Sequence, residues 1–477
     1  VTARRLAALL LCAALAGCST QSSTTALEPE ELAGKITVDA MFTHLRKLQQ
    51  IADDNDGNRA VGSPGYDASV EYVAQLLRDK GFDVQTPEFE RMGTMRGGNP
   101  ALTVSGRKFQ VDQASMLVKT QPGGLNAPTL RPGKPSGCSA TDYGSLNISG
   151  AIAVVDDSGC SVVVKQNTAL AKGAVGLLVV NTGRPVPGGL FTTGYYRELT
   201  VPVGIIDPTA DAALRRTSAP VRLTLDGMAE MVKSRSVTAQ TKTGSAADVV
   251  LVGAHLDSIG GGPGINDNGS GVAALLETAL QLGSSPKAAN AVRFAFWGAE
   301  EMGLDGSTQY VRNLPLDQLD DLALYLNFDM VGSPNAGFFT YDGDQSGQAT
   351  DPKPMPEGSA GIERTMAGYL NLAGVRPADM PIGGTTDYHP FLLAGVPIGG
   401  ATTGSSQRKT EVQARLWGGR AGSAFDPNYH TARDTIDNVD ARALGTMGSA
   451  IAFTVGTYAK SIDGPNGVPA RDKRHRG

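Results

Sequence analysis

Three apolar runs in this chain end in side chains that can carry protons or hold a cation. VVLVGAHLD (249–257) delivers His255 and Asp257, AVRFAFWGAEE (291–301) delivers Glu300 and Glu301, and LALYLNFDMVG (322–332) delivers Asp329. A glycine-rich loop, GGPGINDNGSG, follows the first run and sets Asp267 just ahead of a helical pattern. Paired acids are usually solvated surface, but Glu300 and Glu301 follow the apolar Phe294–Trp297, which argues against that here. Carboxylates gathered in a water-poor cleft take up protons or stay apart. Divalent cations remove that conflict. Two Zn²⁺ ions with one bridging hydroxide balance three carboxylates, imidazoles acting as neutral ligands, and such centres usually share a bridging carboxylate. Asp267 is the natural bridge. A phosphate-loop reading of GINDNGSG fails, because the segment has no Lys and places an acid where an anion would bind.

The elements that must position these residues are legible in the hydrophobic pattern. The apolar runs read as strands buried on both faces. Between the first two, Val272, Leu275, Leu276 and Ala279 recur at helical spacing. Strands alternating with helices predict an α/β fold with a mostly parallel central sheet flanked by helices, whose sites form beyond the carboxyl ends of the strands. The main part of this domain is expected over 228–463 and its N-terminal part over 37–99. In the latter, Met41, Leu45, Leu48 and Ile51 predict one helix and Val70, Val73, Leu76 and Leu77 another, joined by the turn-rich NDGNRAVGSPGY. Residues 100–227 read as a β-rich insert, with AIAVVDD, VGLLVVN and VPVGIID between Gly/Pro-rich loops and a short helical stretch, NTALAKGA. Residues 464–477, ending RDKRHRG, read as a disordered basic tail.

With 477 residues, 41% hydrophobic and 19% charged, the chain is a folded protein of two or three domains. A net charge of −5 leaves no basic surplus to follow a phosphate backbone, so no nucleic-acid partner is expected. Four Cys and five His nearly exclude a thiolate zinc cage. Arg4 and Arg5 precede LAALLLCAALAG, a run too short to span a bilayer and suited to a signal peptide. It ends in Leu15-Ala16-Gly17-Cys18, which resembles the bacterial lipobox. That resemblance implies removal of a 1–17 lipoprotein signal, acylation of Cys18, and a tether over 18–36. It also implies a place on the extracytoplasmic face of the cell membrane, touched only through the lipid. Cys138 and Cys160 remain, and outside the cytoplasm such a pair is expected to form a disulfide.

Taken together, HLDS…GPGINDNGSG, WGAEEMGLDGS, NFDMVGSPN and YHTARDT resemble the motifs of the co-catalytic di-zinc aminopeptidases of the Streptomyces secreted type, metallopeptidase family twenty-eight. HLRKLQQIADDNDGNRAVGSPGYDASVEYV extends the likeness, and the insert resembles a protease-associated domain. The resemblance implies a zinc-exopeptidase-like fold that removes N-terminal, apolar residues from peptides with a free N-terminus. It implies two Zn²⁺, one held by His255 and Asp329, the other by Glu301 and His430, with Asp267 between them. Asp257 would orient the His255 ring, Glu300 would be general base and acid, and Tyr429 would hydrogen-bond the oxyanion. The chain departs from the family in two places. DPNYHTARDT has Asn428 and Arg433 and lacks the cysteines that flank the last His ligand in the relative, so that loop must be held otherwise, with Asp426 and Asp434 as candidates. GGTTDYHPF has Thr385 where the relative has a substrate-binding Arg, with His389 shifted along.

The other histidines carry plainer readings: His44 as a surface or packing residue, His389 as loop packing or support for the centre, and His475 as part of the tail. Three other functions fit these residues less well. A carboxypeptidase needs a cationic pocket for the terminal carboxylate. A glutaminyl cyclase of the same fold needs only one zinc. A non-catalytic binding module usually loses ligands, and none is lost here.

Overall fold

The computed structural model describes residues 27–96, 98–182, 198–347 and 354–474. The signal segment 1–17, Cys18 and His475 lie outside the described residues. The chain divides into two compact units, residues 88–234 forming one and the flanking parts the other.

In the larger unit, helices α1 (Pro29–Lys35), α2 (Val38–Asp53), α3 (Pro64–Asp79), α4 (Gly271–Leu282) and α5 (Ala441–Lys460) accompany an eight-stranded sheet. Its strands are β1 (Asp83–Gln85), β2 (Val237–Gln240), β3 (Ser245–His255), β4 (Asn290–Trp297), β5 (Leu322–Phe328), β6 (Phe339–Tyr341), β7 (Ala378–Met380) and β8 (Ile398–Thr402). The order across the sheet is β1-β2-β4-β3-β5-β8-β6-β7. The central four, β4, β3, β5 and β8, run parallel. The predicted α/β class with a mostly parallel sheet is therefore the fold observed. Along β3, Val250, Val252 and Ala254 join one apolar cluster, with α2, α4 and α5, while Val249 and Leu251 join another with Phe391 and Leu392. That period-two split is why the strand has no polar face. Gly253 is required by close packing: a Cβ there would lie 2.3 Å from the Tyr325 hydroxyl and 2.5 Å from Trp297 Nε1.

Register decides where the chemistry falls. His255 pairs with Trp297 across β3 and β4, and Gly253 with Asn327 across β3 and β5. His255 is thus level with the end of β4 and with Asp329, two residues beyond Asn327. The three strands deliver their polar ends to one edge, as open α/β sheets do.

Both predicted N-terminal helices form, each started by a side-chain cap. Thr37 accepts from Ala40 N for α2, and Ser63 accepts from Tyr66 N for α3, with Pro64 in the first turn. Two expectations are corrected. The tether predicted over 18–36 does not extend to 36, because α1 lies within it and packs on α5. Leu32 and Ile36 are buried, and a Cβ on Gly456 would come within 3.0 Å of Pro29. The tail predicted as disordered from 464 is placed through Arg474. That guanidinium is buried, donating to Asp248 at 2.7 Å and to the carbonyls of Asp320 and Ala247. Basic composition suggested solvation, but paired carboxylate and carbonyl acceptors give a buried guanidinium its compensation.

The unit 88–234 is wider than the 100–227 insert read from the pattern, because Glu88–Arg96 and Met228–Arg235 form a two-stranded ribbon. Within it, Ile152–Asp156, Gly176–Val180 and Val203–Ile206 are parallel neighbours in a five-stranded sheet. A four-stranded antiparallel sheet carries Ala101–Val104 and Val221–Thr224. The short helix expected at NTALAKGA begins earlier, at Val162, where Ser161 accepts from Val164 N at 3.3 Å. Cys138 and Cys160 are bonded, with Cα atoms 5.8 Å apart and 22 residues of separation. Closing a loop of that size restricts the unfolded chain by about 3 kcal/mol. Replacing both cysteines by serine should lower the stability of this unit by about 2–4 kcal/mol, read as a shift in its urea midpoint, with no change of far-ultraviolet dichroism at zero urea.

Candidate metal centre

The strand ends assemble two triads whose ligand atoms lie within 4.8 Å of one another: His255, Glu300 and Asp329 in one, Asp267, Glu301 and His430 in the other. His255 Nε2 is 3.3 Å from Asp267 Oδ1, 3.5 Å from Asp329 Oδ1 and 3.9 Å from Glu300 Oε2. His430 Nε2 is 3.2 Å from Asp267 Oδ2 and 3.0 Å from Glu301 Oε2. The two oxygens of Asp267 therefore address one imidazole each. All six of these sequence-predicted residues come together, and Tyr429 stacks on His430 with ring centroids 3.8 Å apart.

Asp257 occupies a different contact from the one expected. The His255 ring offers Nδ1 to the Asp257 main-chain oxygen at 3.1 Å, and the Asp257 carboxylate is farther, at 3.8 Å. A carbonyl only accepts, so this bond puts a proton on Nδ1 and leaves Nε2 toward the carboxylates. The buried Asp257 carboxylate instead accepts the amides of Glu300 at 3.2 Å and Glu301 at 3.3 Å. It thereby fixes the backbone that carries the acidic pair.

Backbone strain marks the same places. Ala299, Met330 and His430 have φ of +62°, +55° and +57°, beside or within the acidic pair, Asp329 and the last imidazole. Such conformations are uncommon for residues other than glycine and persist where the surroundings over-determine them. The Asp267 turn, Ile265–Ser270, supplies that determination for Met330. Asn268 Oδ1 accepts from Met330 N, Ser270 Oγ from Val331 N, and Asn266 Oδ1 from Gly332 N. The Asp267–Asn268 peptide is cis.

Two hydrogen-bonded systems support the centre from behind. A buried relay runs from Trp297 Nε1 to the Tyr325 hydroxyl, to Asn327 Oδ1, and from Asn327 Nδ2 to Thr386 Oγ1, each step at 2.9 Å. Thr386 then donates to Asp329 Oδ2 at 2.7 Å. Sequence reading singled out Thr385, which lines the cavity, whereas its neighbour makes the contact. The cysteine-free loop around His430 is held by both candidate acids. Asp434 accepts the amides of Asn266 and Asp267, each at 2.9 Å, and Asp426 accepts from Asn266 Nδ2 at 2.7 Å and Asn428 N at 2.8 Å. Asn438 joins them, its amide donating to both carboxylates. His44 is a satisfied buried histidine, 2.7 Å from the Tyr72 hydroxyl and 3.3 Å from Glu277.

Electrostatics follow from this crowding. Burial pushes Glu300 well up, and Asp329, Asp387 and Glu301 add to it against the opposing His255. Burial also lifts Glu301 to about 7 against the His430 hydrogen bond, and Asp387 to about 7. Burial would raise Asp267 too, but hydrogen bonds from both imidazoles outweigh it and hold the carboxylate low. His430 is lifted to about 10 by hydrogen bonds to Asp267 and Glu301. Burial and the surrounding carboxylates raise the Tyr429 hydroxyl, which keeps it a donor. Glu301 Oε1 is buried with no hydrogen-bond partner. An orphaned anionic oxygen, two imidazoles and a carboxylate shared between them form a donor set that fits hard-to-borderline divalent cations.

Asn438→Ala removes the amide common to two buried carboxylates. It should cost about 2–4 kcal/mol, since each carboxylate loses a charge-assisted bond, measured as a drop in the thermal or urea midpoint.

A family model described as Peptidase family M28 matches residues 236–455, and one described as PA domain matches 125–214. The chain is 49% identical to LpqL, a probable lipoprotein aminopeptidase of Mycobacterium tuberculosis, over 93% of this chain and 89% of that protein. It is 39% identical to an aminopeptidase of Pseudomonas aeruginosa over 86% of this chain and 78% of the relative. The solved structure of a zinc aminopeptidase from Bacillus subtilis shares the fold, with a TM-score of 0.53 at 24% identity, covering 89% of this chain and 95% of that one. Near-half identity along almost the whole length, added to a peptidase segment that contains all six residues of the two triads, makes this chain a member of peptidase family M28 with a PA domain inserted.

Proposed function

We propose that this protein is a zinc-dependent aminopeptidase, anchored outside the cytoplasm by lipid on Cys18, that removes apolar N-terminal residues from peptides. One observation carries the reading: a single carboxylate, Asp267, spans two imidazoles, each of which has a further carboxylate at hand. His255 and Asp329 would hold one Zn²⁺, Glu301 and His430 the other, and Asp267 would touch both. When bound, the pair supplies Lewis acidity toward the scissile carbonyl and lowers the pKa of water.

The chain's own groups account for the rest. Glu300, lifted by burial, is suited to take a proton from the attacking water and pass it to the leaving amine. Tyr429, kept protonated, donates to the oxyanion that develops on the carbonyl. The acidic edge of Glu300 and Asp329 suits a substrate's ammonium group. Among the described residues no Lys or Arg lines the cavity to pair with a terminal carboxylate, which favours amino- over carboxypeptidase action. Met330, Tyr341, Met380, Pro381 and Tyr388 line it as well and suit an apolar side chain. For the anchor, the support is the Leu15-Ala16-Gly17-Cys18 motif and the lipoprotein name of a relative. Among the described residues no helix is long and apolar enough to cross a membrane.

A panel of aminoacyl chromogenic substrates with zinc analysis tests the proposal. Leucyl and methionyl substrates should be cleaved, glutamyl ones about tenfold or more slowly, and N-acetylated peptides spared. Chelation should abolish activity and zinc restore it. Glu300→Gln should lower kcat by about 10²–10⁴-fold at unchanged zinc content. Cleavage of the acetylated peptide, or full activity of Glu300→Gln, would refute the respective assignment.

Zinc must displace protons from groups lifted to about 7 and above. Binding should therefore release protons at pH 7, and affinity should fall as pH drops below about 10, where His430 is protonated, and more steeply below about 7, where Glu301 is protonated as well. Calorimetry of zinc uptake in two buffers of different ionisation enthalpy reads both.

A further inference from the structure

The segment NDGNRAVGSPGY, which leads from α2 into the first turn of α3, holds a side chain that neither the turn chemistry nor the proposed mechanism uses. Arg59 is fully buried. Its guanidinium donates to three main-chain oxygens: Leu256 (Nη1), Pro263 (Nε, 2.9 Å) and Gly264 (Nη2, 2.8 Å). Its own amide donates to Ser258 Oγ at 2.9 Å, and Ser258 N donates back to the Arg59 carbonyl at 3.3 Å. Ser258 Oγ in turn donates to Gly262 O at 2.9 Å.

These contacts all fall on the loop that joins His255 to Asp267. Leu256 lies between His255 and Asp257. Gly264 is the left-handed residue, φ +61°, from which the Asp267 turn starts, and a Cβ there would lie 2.4 Å from the Asp267 carbonyl. One planar fork therefore clamps both ends of the loop, and so sets the spacing between the imidazole of one triad and the carboxylate shared with the other. Burying a cation on carbonyls alone is costly. Here the charges of Asp257, Asp434 and Asp267 lie near enough to favour it. A surface ion pair or a packing arginine would leave neither trace.

We infer that Arg59 is a positioning residue for the metal centre, acting through the 256–264 loop to hold His255 and Asp267 at the separation that two cations require. The inference rests on the zinc-centre reading above. It predicts that the fork matters and not only the charge, because lysine cannot reach three divergent carbonyls from one ammonium.

The test is the zinc affinity of metal-stripped protein, measured by competition with a chromogenic chelator, beside the thermal midpoint of the metal-free form. Arg59→Met should bind zinc about 10–100-fold more weakly, the range for losing support of metal ligands. Arg59→Lys should remain about fivefold or more weaker than wild type. Wild-type affinity in either folded variant overturns the inference. So does a lowered metal-free midpoint with affinity unmoved, which would mark a merely structural role. Should neither variant fold, Ser258→Ala, which cuts the second tie to the same loop, should weaken zinc binding about threefold or more, and unchanged affinity there overturns it. A wild-type protein that takes up no zinc would refute the centre itself, a failure visible before any variant is made.

Discussion

Four carboxylates and two imidazoles share one cavity at the edge of a parallel sheet, and like-charge repulsion among them is the constraint around which the rest is arranged. The groups respond in opposite directions. Asp267, fed by two imidazoles, keeps its charge, while Glu300 and Glu301 are driven toward the protonated form. Protons and divalent cations are alternative solutions to the same electrostatic problem. The buried Asp257 carboxylate sits just outside this crowd and spends both oxygens on main-chain amides, which holds the acidic pair in place without adding another ligand.

The surroundings are correspondingly rigid. Left-handed backbone at Ala299, Met330 and His430 aims three strand or loop ends inward, at an order of 1–3 kcal/mol each. Side chains of the Asp267 turn take up the amides after Asp329, the relay from Trp297 to Thr386 reaches the Asp329 carboxylate, and the Asp426–Asn438–Asp434 cluster ties the His430 loop to the same turn. Asp267 is thus central twice over, once through its carboxylate and once through the turn that carries it. Preorganisation of this kind lets a centre present its groups without rearranging on binding.

Much of this was legible in the residues. The uninterrupted apolar runs gave strands buried on both faces, and the polar residues at their ends gave the edge where chemistry gathers, because open α/β sheets bring such ends together. What the pattern did not give were contacts made by residues of unremarkable type. Thr386, Asn438 and Arg59 sit in loops whose composition reads as turn chemistry, and only the register of distant segments brings them to the site. The segments at the end of the expected tether and in the expected tail are ordered for a related reason. Charged and small residues suggested solvation, yet Leu32 on a short helix and Ile36 just past its end are buried, and Arg474 finds a carboxylate and two carbonyls after a long excursion of chain. The helix beginning at Val162 was read late because its first turn is β-branched, and the Ser161 cap outweighs that preference.

The loop bearing His430 is fastened by amides and carboxylates, whereas the sulfur–sulfur bond of the described residues lies in the other compact unit. The fastening of the imidazole therefore contains no bond that an oxidant or reductant makes or breaks, only hydrogen bonds whose acceptors must stay ionised to hold it.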